Sequence, residues 1–331
     1  MRKKQNLPGL GEYLLRLSTE LENEGRHGTS RTYVKTHNSF VAYLEGADIP
    51  INRIDHHVID GYNRHLRERN LTRNAISFYN RVLRAAYNKA VREYRMPDTH
   101  PFGDVYTGVD RTASRAVGET LFARLMSLDL SGNADLSLTR DLFIFSYAMR
   151  GMSFVDMAYL KKAQIHDGYL IYNRRKTGVT LRIRIETEAR KIIEKYRSSS
   201  WNRKSEYLFP ILEEGNNSSG SYLNYCSGLS SYNRRLKRLA KLAGIDQKLT
   251  SHVARHSWAT AARNAGNGMP LISEALGHSS ERMTRIYLGE FDACLVDAMN
   301  RKLMSNIHKR ASNMPMTPDS HEPVECGWRV G

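Results

Sequence analysis

Apolar positions recur at helical spacing over most of this chain and at strand spacing in one short window. Residues 9 to about 100 read as helices. Thr29 and Ser30 precede Tyr33, His37, Phe40, Val41 and Leu44, one apolar stripe that Gly46 stops. In LTRNAISFYNRVLRAAYNKAVREY, Ile76, Tyr79, Leu83, Ala86, Tyr87 and Ala90 share one helix face. Arg73, Ser77, Arg81, Arg84, Asn88 and Arg92 share another, with no acidic partner before Glu93. The stretch PDTHPFGDVYTGVDRTASRAVGE has two prolines, three glycines and no stripe, which places a boundary near Thr112. A second helical region includes TRDLFIFSYAMRGMSFVDMAYL. The period then changes: Val179, Leu181, Ile183 and Ile185 alternate with Thr180, Arg182, Arg184 and Glu186. Two short strands around a turn at Lys176, Thr177 and Gly178 follow from that alternation. Helices resume after Thr187, residues 216–221 read as a surface loop, and the tail from Met314 has no periodicity. The expectation is mainly α with a small β-sheet, an α+β chain. Its units are residues 1–110, a linker at 111–116, residues 117–310, and a flexible tail at 311–331.

Length and charge narrow the partners. A chain of 331 residues suits two domains, and 40% hydrophobic with 25% charged residues permits buried cores. Lys and Arg number 50 against 34 acidic residues, a formal charge of +16. Such a protein commonly meets a polyanion, above all nucleic acid; the bland alternative is charge serving solubility. The cationic face from Arg73 to Arg92 favours the first, because a solvated face usually alternates in sign. Arg73, Arg81, Arg84, Asn88 and Arg92 are the candidate DNA-binding residues. No apolar run approaches the roughly 18 residues of a membrane span, so no membrane partner is expected. The basic start MRKKQNLPGLGEY has no following apolar run, unlike a signal peptide. Cys226, Cys294 and Cys326 form no metal or disulfide pattern and fit a reducing cytoplasm. The adjacent His56 and His57 rarely share a coordination face and read as surface residues. No metal and no cofactor are expected.

The densest chemistry lies in SHVARHSWAT, residues 251–260. Thr250 or Ser251 can cap a helix whose first turn holds His252 and Arg255, three apart on one face. Alone, this is an ordinary helix start. The continuation adds to it: residues 271–276 form a short helix that Gly277 ends, His278 stands at its exit, and Ser279 or Ser280 caps a helix carrying Tyr287.

This arrangement resembles the tyrosine recombinases, the phage integrase family, over most of the chain. The signature of that family is an arginine in a helix, a hairpin lysine, His-x-x-Arg, a later His or Trp, and a tyrosine. His252-x-x-Arg255, Leu276-Gly277-His278 and Tyr287 match in order and spacing, and the hairpin lysine falls on Lys176. The resemblance implies a helical SAM-like core-binding domain before a mixed catalytic domain. One motif departs from the pattern. The run Gly151-Met152-Ser153-Phe154-Val155-Asp156 places Ser153 where the family has its first arginine, an RGMSF variant that some mobile-element integrases carry. Arg174, on the same strand face as Lys176, is the preferred replacement. Arg150, one helical turn before Ser153 if the helix extends that far, competes with it.

Cleaving a phosphodiester needs a nucleophile, neutralisation of charge and a proton for the leaving oxygen. Tyr287 would attack and leave a 3′-phosphotyrosyl link, as the resemblance implies. Arg255 can hold two phosphate oxygens with its planar fork. Lys176 suits the general acid, His252 the base or partner of the tyrosine, and His278 a donor to a phosphate oxygen. The resemblance further implies double-stranded DNA as partner and self-assembly as a tetramer on paired sites. Residues 291–310 carry an apolar stripe suited to docking on a neighbour or on their own domain. The implied outcome is integration, excision or inversion, with room for an accessory DNA-bending protein. A DNA binder of this fold without cleavage, a type IB topoisomerase-like enzyme and an RNA-binding module are the rivals.

Overall fold

The computed structural model describes residues 7–110, 116–199, 204–213 and 218–278, together with Ser280, Met283, Thr284, Arg301, Met304 and Ser305. Tyr287, the tail at 311–331, all but three residues of the helix expected over 291–310, and most of the 111–116 linker lie outside the described residues.

Among the described residues the first unit holds four α-helices, α1 (Leu10–Asn23), α2 (His27–Tyr43), α3 (His56–Glu68) and α4 (Arg73–Glu93). Side chains cap two of them. Asp55 accepts from the Val58 N–H at 3.0 Å at the start of α3, and Thr72 from the Ala75 N–H at 3.3 Å at the start of α4. Leu10, Tyr13, Leu14, Phe40, Tyr62, Leu83 and Tyr87 close the core. Each fully buried Leu or Phe contributes about 1.5–3 kcal/mol. The stripe expected on α2 is only partly the buried face. The helix starts two residues earlier, at His27, and buries His27, Ser30, Thr36, Ser39 and Phe40. Small polar residues there let α1 approach, and the Ser18 and Ser30 hydroxyls meet at 3.0 Å. Ser77 also leaves the cationic face assigned to it: it is buried and donates to the Gly108 carbonyl.

The second unit begins with α5 (Glu119–Met126), α6 (Ala134–Ala148) and α7 (Phe154–Ala158). A three-stranded antiparallel sheet follows, in the order β1 (Ile165–His166), β2 (Tyr169–Asn173), β3 (Thr180–Arg184). Leu170 pairs with Ile183 and Tyr172 with Leu181, and these four point into the core, as the alternation requires. The short β1 has no sequence signal of its own. Then come α8 (Thr187–Arg197), α9 (Ser218–Leu242), α10 (Val253–Asn264) and α11 (Met269–Ala275). Ser218 to Ser221, expected in a loop, form the first turn of α9. The core gathers Phe143, Phe145, Met157, Leu170, Ile183, Phe209, Leu236 and Val253, and shares no residue with the first. No helix among the described residues is long and apolar enough to cross a membrane.

Candidate active site

The site is built where α6 breaks. The helix ends at Ala148, and Arg150 and Gly151 follow with φ of +55° and +69°. Arg150 is therefore not one helical turn before Ser153, as the sequence suggested. Ser146 pins the break: its hydroxyl donates to the Met152 carbonyl at 2.7 Å, and the Met152 N–H donates to the Ser146 carbonyl at 3.0 Å. A Cβ on Gly151 would fall 2.7 Å from the Arg255 Cα, so glycine serves both the left-handed backbone and the close approach of α10.

Arg255 is 2% exposed, and a buried guanidinium needs partners. Its Nη1 donates to the Gly151 carbonyl at 2.8 Å and its Nη2 to the Leu276 carbonyl at 2.6 Å. Nη2 also reaches the His278 Nε2 at 2.9 Å. The fork is thus fixed by backbone from two separate segments. His252 is exposed and is itself the N-cap of α10; the cap expected from Thr250 or Ser251 does not form. Ser251 instead tethers the segment, its N–H donating to the Asn233 side chain of α9 at 2.9 Å.

At the exit of α11, Gly277 adopts φ of +61° and the His278 N–H returns to the Ser273 carbonyl at 3.0 Å. Because arginine can only donate, the His278 Nε2 accepts, and its Nδ1 carries the proton toward the Thr284 Oγ1, 2.8 Å away. Burial first, then the charges of Arg255, Arg174 and Lys176, push His278 down to about 3. The ring is neutral near pH 7, its Nε2 has no proton for a phosphate, and the donor role expected for it does not fit this arrangement.

The hairpin supplies a second buried arginine. Arg174 is 4% exposed and donates through Nη1 to the Gly277 carbonyl at 2.7 Å, where the Thr177 hydroxyl also donates at 3.1 Å. Its Nε lies 4.0 Å from Asp156. Asp156 is buried and accepts from the Ser153 hydroxyl at 2.6 Å and the Arg175 N–H at 2.9 Å. Ser153 therefore satisfies a carboxylate instead of supplying a cation, and Arg174 stands beside that carboxylate. The shared strand face expected for Arg174 and Lys176 is not the reason they meet the site. Strand β2 ends at Asn173; Arg174 turns inward, while Lys176 is exposed in the turn. A Gly178 N–H to Arg174 carbonyl bond of 2.7 Å closes that turn, with Gly178 at φ of +72°.

Tyr172 was not anticipated. Burial pushes its phenol well up and Asp156 adds to this, while Arg255, Arg174 and Arg150 pull it down. Three arginines thus stand within electrostatic reach of one ring. Its place between Ile171 and Asn173 on β2 gave no cue, since it reads as a core position. The structure thus gathers Arg255, His278, Arg174, Arg150 and Lys176, with His252 at the entry to α10.

On α4, Arg84, Asn88 and Arg92 are exposed. Arg73 lies 3.8 Å over the Tyr106 ring and 3.4 Å from Asp110, and Arg81 donates to the Gly108 carbonyl at 3.2 Å. These two hold the segment leading out of the first unit. Among the described residues, no group of three or more His, Cys, Asp or Glu side chains is arranged to hold a metal ion.

Comparison with known proteins agrees with this layout. Residues 10–105 match the phage integrase SAM-like domain, and residues 137–293 match the phage integrase family. Tyrosine recombinase XerD of Corynebacterium glutamicum is 29% identical over 147 residues, 42% of this chain; the match spans 48% of that relative's length. Among solved structures, a lambda integrase tetramer bound to a Holliday junction is similar with a TM-score of 0.64. It is 17% identical, with 87% of this chain and 80% of that one covered. A Tn1549 transposon integrase bound to transposon right end DNA gives 0.62 at 15% identity, covering 90% and 100%. At these identities the structures speak to the fold. With both units matched and the arginine, histidine and hairpin elements assembled in one place, the chain belongs to the phage integrase family of tyrosine recombinases.

Proposed function

We propose that this protein is a site-specific DNA recombinase that cuts and rejoins strands through a covalent 3′-phosphotyrosyl intermediate. The observation that carries the reading is the buried Arg255 fork, fixed by the Gly151 and Leu276 carbonyls and joined to His278. A guanidinium held this rigidly needs no reorganisation when a phosphate arrives. Tyr287 is the nucleophile. Storing the strand as a phosphotyrosine conserves the bond energy, so rejoining needs no ATP and no metal. Arg255 neutralises the non-bridging oxygens and Arg174 replaces the cation absent at Ser153, with Arg150 as its competitor. Lys176, exposed on its turn, protonates the leaving 5′-oxygen. His252 assists the tyrosine, and His278 acts as a neutral prop for Arg255.

The division at residues 110 and 117 puts DNA gripping on both units. Exposed Arg84, Asn88 and Arg92 contact the backbone, and Arg73 and Arg81 stand at the edge of that surface. The partners are double-stranded DNA and further copies of this chain, as a tetramer on paired sites. An accessory DNA-bending protein is a further candidate partner, and the cytoplasm is the expected compartment. The lambda integrase assembly on a Holliday junction supports this by analogy.

The test is a nicked suicide duplex that traps the adduct. Wild type forms a covalent complex; Tyr287→Phe forms none while retarding DNA in gels as wild type does. Adducts that persist in Tyr287→Phe place the nucleophile elsewhere. A wild type that binds without cleaving favours the rival, a DNA-binding protein disarmed at Ser153.

A further inference from the structure

The turn that carries Lys176 is held from both sides. On one side, the Arg175 N–H donates to the buried Asp156 carboxylate at 2.9 Å, and the Arg175 guanidinium lies 3.6 Å over the Tyr159 ring. Asp156 lies on α7 and Tyr159 follows its last turn. On the other side, the Thr177 hydroxyl donates to the Gly277 carbonyl at 3.1 Å. From Arg175 to Thr180 only Thr177 is half-buried, and the others are exposed. The turn thus points one side chain inward, and it is the neighbour of Lys176.

The same Gly277 carbonyl receives a second donor from the hairpin, the Arg174 Nη1 at 2.7 Å. A Cβ on Gly277 would fall 3.1 Å from Leu181 and 3.2 Å from Arg174, so the exit of α11 rests directly on the hairpin. His278 comes next. Its ring bonds Arg255 and stands within electrostatic reach of Lys176. One carbonyl therefore registers the lysine turn against the arginine pocket. A lysine needs such help, because its ammonium rides on a flexible four-carbon stem while a general acid must lie within hydrogen-bond reach of the leaving oxygen.

We propose that Thr177 is a positioning residue for the proton-transfer step: its bond to Gly277, with Arg175 as the opposite mooring, sets Lys176 against the leaving 5′-oxygen. The inference rests on the reading of Lys176 as the general acid. In that step the Tyr287 oxygen bonds to phosphorus and the phenol proton passes to His252. The bond from phosphorus to the 5′-oxygen breaks, and one proton moves from the Lys176 ammonium to that oxygen, leaving a 5′-hydroxyl and a neutral amine. Thr177 acts through Lys176 and takes no part in these bond changes.

The experiment measures single-turnover adduct formation on suicide duplexes that carry either the natural oxygen or a sulfur at the 5′-bridging position of the cut phosphate. A thiolate leaves without a proton, because thiols are far stronger acids than alcohols. Lys176→Ala sets the reference: it loses about 10²-fold or more on the oxygen substrate and returns to within about threefold of wild type on the sulfur substrate. Thr177→Val keeps the branched shape and removes the hydroxyl. It cleaves the oxygen substrate about tenfold slower, part of the full loss, and the sulfur substrate as wild type does. Thr177→Ser, which restores the hydroxyl, matches wild type on both. Normal cleavage of the sulfur substrate also shows that the Thr177→Val protein is folded. Thr177→Val at wild-type speed on the oxygen substrate overturns the inference. Equal slowing on both substrates overturns it too, since the defect then lies in folding or phosphate binding and not in proton transfer. A Lys176→Ala protein that sulfur does not rescue removes Lys176 as the acid, and a wild type that cleaves neither duplex removes the recombinase reading itself.

Discussion

Gly151→Ala isolates the geometric core of the account. The new Cβ would lie 2.7 Å from the Arg255 Cα and 2.8 Å from its Cγ. Carbon contacts are comfortable near 3.5 Å, so the start of α10 must retreat by about 0.8 Å. The Nη1 bond to the Gly151 carbonyl is disturbed by the same shift. A misplacement near 1 Å at a catalytic centre costs about 10²-fold in rate. Left-handed strain at φ of +69° costs a further 1–2 kcal/mol of stability, roughly. Gly46→Ala separates the two effects, because Gly46 has φ of +90° and nothing within 4 Å of its absent Cβ. The assay is the single-turnover rate of adduct formation at saturating protein, with thermal unfolding measured alongside. Gly151→Ala cleaves about 100-fold slower than wild type, and Gly46→Ala loses stability alone. A Gly151→Ala protein that cleaves within about threefold of wild type would refute the claim that Gly151 positions Arg255.

Arg174→Ala loses about two orders of magnitude in cleavage with DNA binding retained, as removal of one preorganised donor does; a harmless Arg174→Ala beside an inactive Arg150→Ala reverses the ranking of the two. His278 titrates near 6.5 when unfolded and near 3 when folded, so it leaves stability unaffected above pH 6.5 and destabilises the fold as pH falls toward 3. Wild type accordingly loses more stability than His278→Gln between pH 7 and pH 5 in denaturant titrations, and parallel curves contradict the neutral ring. Arg84→Ala weakens DNA binding on every sequence alike and reduces the slope of log K against log salt by about 0.9; an unchanged slope removes Arg84 from the phosphate contacts.

Much of this was legible in the chain because local signals agreed with tertiary need. The hairpin followed from alternation at Leu181, Ile183 and Ile185, and α4 from its apolar stripe. The meeting of Arg255 with His278 followed from motif order, though not from any local rule. What was hidden depended on partners distant in sequence. Ser77 looked polar and outward but is claimed by Gly108, and Arg174 turns inward because Gly277 and Asp156 receive it. The helical register drawn from Arg150 to Ser153 failed because consecutive left-handed residues at Arg150 and Gly151 break α6, and a non-glycine in that conformation leaves no mark in composition. His278 was expected to donate to a phosphate oxygen; burial beside two arginines, which sequence does not show, keeps its ring neutral instead.

The account rests on a phenol reaching the phosphate that Arg255 holds. The most direct measurement is protease digestion of the trapped DNA adduct and mass spectrometry of the peptide that carries the nucleotide. The account predicts a 3′-phosphate ester on Tyr287. A 5′ linkage, or an adduct on Tyr172 or any residue other than Tyr287, would contradict it.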